Sequence, residues 1–160
     1  MSGLFEIWCL LLVMTIAEAY RRFGMINLRE QVPVIIELTS DEIILLNQAQ
    51  LYKSSLDSLG NNLGGYSMEF YENLKKELNP ALGGLVDLYL TGDFYGGFYV
   101  SIEDGSFIIG STDSKSDDLE SKYGKAIFGL SDESKAIYSR GLFFQALRNY
   151  IEGITKIQMT

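Results

Sequence analysis

No histidine occurs in the 160 residues. That absence removes the commonest general base near neutral pH, the commonest metal ligand and the ordinary Ser-His-Asp arrangement. Cysteine is nearly as scarce. Cys9 stands alone, so neither an intrachain disulfide nor a cysteine-based zinc site can form. Positive charge is also short, with 13 Lys and Arg against 21 Asp and Glu and a net charge of −8. A surface of that average sign repels phosphate-rich polymers, so nucleic acid is not an expected partner. Carboxylate, lysine and tyrosine chemistry remain available.

What is present suits one folded domain, since 47% of residues are hydrophobic and 21% charged. Residues 7–17 form an uncharged apolar run with Glu6 before it and Glu18 behind it. A run of this length lies between a core helix, a signal core and a membrane span. Trp8 and Tyr20 stand near its ends, where interfacial aromatics belong, and Arg21 and Arg22 can snorkel to headgroups. Residues 1–24 are therefore expected to form a membrane anchor, with Phe5, Ile7, Trp8, Leu10, Leu11, Leu12, Val13 and Ile16 facing lipid. Ala17-Glu18-Ala19 fits a signal-cleavage pattern, but no Lys or Arg precedes the run, which favours an uncleaved anchor. Glu6 at the helix start is placed by headgroups and the helix dipole, and is also a possible interface residue. Because Arg21, Arg22 and Arg29 all follow the run, the positive-inside rule puts the body in the cytoplasm.

Residues 25–160 are expected to form a single α+β domain with two or three helices and an antiparallel sheet of about four to five strands. Residues 32–38 predict a strand with Pro33 near its start. A helix over 39–59 follows, opened by a Thr39/Glu42 capping box, and another over 67–78 has Phe70, Leu74 and Leu78 on one face. From residue 85 the hydrophobic period changes to two. VDLYL and FYVSIE predict strands, and Asp104-Gly105 predicts a type I′ hairpin into SFIIGS. A second hairpin is expected across 131–134, joining KAIFGL to KAIYS, with 111–122 as a polar loop or short helix and a closing helix over 143–151.

Candidate sites are few. Asp113, Asp117, Asp118 and Glu120 gather acids without the EF-hand spacing, so a solvated loop is expected. The glycine pairs at 64–65, 83–84 and 96–97 match neither GxGxxG nor a phosphate loop and read as turns. No catalytic residue, cofactor site or metal site is predicted. Strand alternation points Phe98 inward and makes Tyr95 and Tyr99 possible interface residues. An envelope-glycan hydrolase using a pair among Asp87, Asp93 and Glu103 is an alternative that requires a cleft and a defined separation.

A hydrophobic N-terminal helix with a glutamate near its start, ahead of a small α+β body, resembles type IV pilus and pseudopilus proteins. With NQAQLYKSSL at 47–56, Asn79-Pro80 and FYV at 98–100, the chain is also similar to small inner-membrane accessory proteins of conjugative thin-pilus systems. The resemblance implies a non-enzymatic component of a pilus or secretion assembly, held in the inner membrane by one helix with an extracytoplasmic body. Membrane lipid, other protein subunits and a second copy of the chain would be its partners. A filament subunit packed through its N-terminal helix is the alternative the same likeness implies.

Overall fold

Asn27 sets the first long helix in place, accepting a hydrogen bond from the Glu30 N–H through its side chain. The computed structural model describes residues 15–103 and 106–158. Among them the chain is mostly helical: α1 (Ile16–Phe23), α2 (Leu28–Leu38), α3 (Ser40–Ser54), α4 (Glu69–Leu78), α5 (Ser116–Tyr123), α6 (Asp132–Tyr138) and α7 (Phe144–Thr155). A single helical turn at Asp93–Gly96 precedes strand β1 (Phe98–Glu103), which pairs with β2 (Ser106–Ser111). That antiparallel hairpin is the whole of the described sheet.

The expected α+β body with four to five strands is thus corrected to a helical one, and each error has a local cause. Residues 32–38 continue the helix begun at Leu28, with Pro33 inside it. Pro33 costs one backbone bond there, and burial of Ile35 and Ile36 offsets it. Thr39 does not cap α3 with its side chain; its hydroxyl bonds the Ile35 carbonyl and the Tyr138 hydroxyl instead. The expected second hairpin is replaced by a 3₁₀ turn at Lys125–Ile127 and by α6, which the Ser131 side chain caps. Two buried amides on α3 make this possible. Asn47 bonds the Ile127 carbonyl and the Gly129 N–H, and Gln50 bonds the Gly129 carbonyl and the Ser131 N–H. Those bonds satisfy the backbone that a neighbouring strand would otherwise serve. The polar stretch after β2 forms α5, and the closing helix runs further than expected, to Thr155.

The first hairpin forms as expected, in the register Glu103↔Ser106 to Phe98↔Ser111. Its turn residues, Asp104 and Gly105, lie outside the described residues. One core holds the elements together: Ile36, Ile43 and Leu51 from α2 and α3 meet Phe94, Phe98, Ile109, Ile127, Leu130 and Tyr138.

The anchor is corrected as well. Phe5, Glu6, Ile7, Trp8, Leu10, Leu11, Leu12 and Val13 lie outside the described residues. The part of the expected span that is described, α1, is short and carries Glu18, Arg21 and Arg22. Glu18 pairs with both arginines, at 2.9 and 2.7 Å, and Arg22 also bonds the Thr155 carbonyl at the end of α7. Ile16 stays 90% exposed. Among the described residues no helix is long and apolar enough to cross a membrane. The reading as an envelope component held by one transmembrane helix, and the filament reading that packs through the same helix, are withdrawn on that finding.

Candidate functional site

The α4 sequence EFYENLKKEL places Lys75 on the face turned toward the domain, where it is 2% exposed. A buried ammonium requires a counter-charge and acceptors for its protons. Asp87, 1% exposed, supplies the charge at 2.7 Å, and the Tyr89 carbonyl accepts a second proton. Both acceptors come from one tripeptide. Leu88 between them has φ of 56°, a left-handed conformation that is costly for a branched side chain. That bend lets Asp87 Oδ1 accept the Tyr89 N–H at 3.0 Å while the Asp87 carboxylate and the Tyr89 carbonyl both reach Lys75. It also explains why VDLYL is not a strand: the chain reverses at its third residue.

The remaining valences of Asp87 are filled. The Tyr66 hydroxyl donates to Oδ1 at 3.2 Å and the Asn79 amide to Oδ2 at 3.2 Å. The Tyr95 hydroxyl donates to the Asp87 backbone carbonyl at 2.5 Å. Burial pushes the Tyr66 and Tyr95 hydroxyls well above the ordinary tyrosine range, and the negative charge of Asp87 adds to the effect on Tyr95. Burial also raises Tyr71. The tyrosines around the pair therefore stay neutral.

Above this floor opens a cavity of about 310 Å³, at the lower end of the range for small-molecule sites. Tyr66, Tyr71, Tyr89 and Tyr123 supply aromatic wall, with Leu88, Leu90 and Leu119 between them. Tyr66 and Tyr71 meet edge to face at 4.8 Å, as Tyr89 and Tyr95 do at 5.3 Å, which fixes the rings against each other. Four charged residues stand along the lining besides Lys75: Lys115, Lys122, Asp93 and Asp113. Asp93 accepts a hydrogen bond from the Thr91 hydroxyl at 2.6 Å and Asp113 from the Lys115 N–H at 2.8 Å.

The structure separates the expected carboxylates. Asp87 is committed to Lys75, Asp93 is exposed on the cavity lining, and Glu103 ends β1 in the hairpin. Asp87 is held in its ion pair with Lys75 and accepts three further hydrogen bonds, from the Tyr66 hydroxyl, the Asn79 amide and the Tyr89 N–H, so the pairs that include it are not available to a glycan hydrolase. Among the described residues no group of three or more His, Cys, Asp or Glu side chains comes together for a metal.

Of the expected interface residues, Tyr95 is 8% exposed and belongs to the core. Tyr99 is 44% exposed and lies over Gly110, its partner across the hairpin. Sequence reasoning missed Tyr66, Tyr71 and Lys75. The available signal was Lys75 itself, on the same helical face as Tyr71, with Asp87 following in an otherwise apolar segment. Comparison of the chain with protein-family models, with curated proteins and with solved structures finds no match.

Proposed function

We propose that this chain is a binding module that takes a small, largely apolar organic molecule into the tyrosine-lined cavity and does no covalent chemistry on it. The carrying observation is the floor: a buried Lys75–Asp87 pair, fixed by Tyr66, Asn79 and Tyr95, beneath a cavity of about 310 Å³. Such a pair adds little net stability over apolar residues of the same volume, and it gives the cavity a fixed polar floor suited to recognition. Fixed rings supply apolar contact area at low entropy cost. A non-catalytic role fits the chemistry on hand: histidine is absent, and the most buried acid and base neutralise each other.

Indole-3-ethanol is a suitable neutral probe. Saturation-transfer NMR should show saturable binding with a Kd of about 1 mM or tighter, equivalent to roughly −4 kcal/mol. Ser67 is exposed at the cavity and makes no side-chain hydrogen bond, so Ser67→Trp should block binding while leaving the melting temperature unchanged. Binding that survives both Ser67→Trp and Tyr71→Ala would place the probe elsewhere and reject this reading.

A further inference from the structure

We infer that the ligand is a planar aromatic molecule carrying an oxyanion, a carboxylate or a phosphate, with its ring on the tyrosines and its charge on Lys122 and Lys115. This rests on the binding reading above and specifies what that site selects.

The charges on the cavity lining are not equivalent. Asp93 and Asp113 already accept hydrogen bonds from their own loops. Lys115 and Lys122 make no ion pair among the described residues, and in a chain of net charge −8 unpaired cations are the scarcer feature. Lys122 Nζ stands 5.0 Å from the centroid of the Tyr123 ring, so a cation already lies beside one aromatic wall. A second cation does the same at the floor, where Lys75 Nζ is 5.9 Å from the Tyr66 ring centroid. Lys75 is neutralised by Asp87, so the unpaired charge beside the rings is that of Lys122, which disfavours a cationic guest and favours an anionic one.

The floor adds an independent observation. An ammonium has three N–H donors. Lys75 uses one on Asp87 and one on the Tyr89 carbonyl, so a third remains on a residue that lines the cavity and is 2% exposed. A ligand oxygen that reaches the floor can accept that proton. The cavity thus presents donors at floor and rim with rings between them, a pattern matching oxygen atoms on an aromatic frame.

The test is a matched series on the full-length protein: indole-3-acetate as anion, indole-3-ethanol as neutral and tryptamine as cation, with Kd measured by calorimetry at two salt concentrations. The acetate is expected to bind at least tenfold tighter than the alcohol, with tryptamine weakest. Added salt should reduce the preference, and Lys115→Gln/Lys122→Gln should abolish it, with the acetate losing at least tenfold more affinity than the alcohol. Phenyl phosphate against phenylacetate then separates the two oxyanion sources. If alcohol or amine binds as tightly as acetate, or the double variant keeps the preference, the oxyanion inference fails and the cavity reading stands. If none of the three binds, both fail.

Discussion

Lys75 and Asp87 are the residues at which the largest single effects are expected. Removing one member of a buried pair strands the other charge, which costs about 3–5 kcal/mol. Lys75→Met and Asp87→Asn should each lower the unfolding free energy measured by urea titration by that amount, and Lys75→Met/Asp87→Leu should recover much of the loss because no bare charge remains. A double variant no more stable than either single would show that the pair is not coupled as the 2.7 Å contact requires. The tyrosines add a pH dependence. Tyr66 and Tyr95 are raised chiefly by burial, so the unfolded chain releases their protons first, from about pH 10 upward. Their contribution to stability is complete below that pH and is lost as pH rises beyond it. Alkaline ultraviolet titration should show a group of tyrosines that ionises only together with unfolding. Little of this was legible in the sequence. Lys75 reads naturally as a cation at a helix C-terminus and Asp87 as a polar residue on a strand; only the reversal at Leu88 brings them together, and a left-handed leucine has no sequence signature.

Among the elements, those with their own punctuation were read correctly and those defined by a partner were not. The hairpin across Asp104-Gly105 and the body of α4 have local signals, a turn dipeptide and a helical period closed by Pro80. By contrast, the strands expected over 125–130 and 135–139 needed neighbours, and Asn47 and Gln50 on α3 claimed their backbone first. Ser131 followed by Asp132 and Glu133 was a legible helix start that the apolar pattern outweighed. Gly97 gives an element-scale test, because a Cβ there would lie 2.9 Å from the Asp113 backbone nitrogen and 2.7 Å from Ser111 Oγ. Gly97→Ala should push the Asp113 loop away from the cavity and cost about 1–3 kcal/mol as an overpacked site. Gly110→Ala meets only the outer end of the Tyr99 ring, a flexible group, and should cost less than 1 kcal/mol by the same thermal-unfolding measurement. At α1 the Arg21 and Arg22 hydrogen bonds hold the Glu18 carboxyl at about 2 instead of 4.5. What this triad contributes is present above pH 4.5 and is lost as pH falls toward 2. After correction for the intrinsic exchange rate at each pH, the amide protection of residues 16–23 should fall over that window while the core strands stay protected.

At the scale of the molecule, the buried hydrophobic residues run from Ile35 to Tyr138 among the described residues, and α1 contributes none of them. The sequence showed that 25–160 carries enough apolar surface for one domain, but not that its layers would be helical, because amphipathic runs of this length serve either architecture until their partners are known. The division near residue 24 can be tested directly. No residue of α1 is buried, and its tie to the rest is made by Arg22 to the Thr155 carbonyl; the next tie, the Asn27 N–H to the Tyr150 hydroxyl, lies beyond the division. Of the described residues, deleting 1–24 removes an exposed ion triad and an apolar stripe of Ile16, Tyr20 and Phe23, while leaving Asn27, the cap of α2, intact. Exposed ion pairs contribute little to stability, so the shortened chain should unfold in one cooperative transition within a few degrees of the full-length protein. It should also bind indole-3-ethanol with the same Kd, since none of the cavity's lining residues precedes Tyr66. A molten, non-cooperative transition in the shortened chain would show that the deleted residues supply part of the core, and the boundary near residue 24 would have to be abandoned.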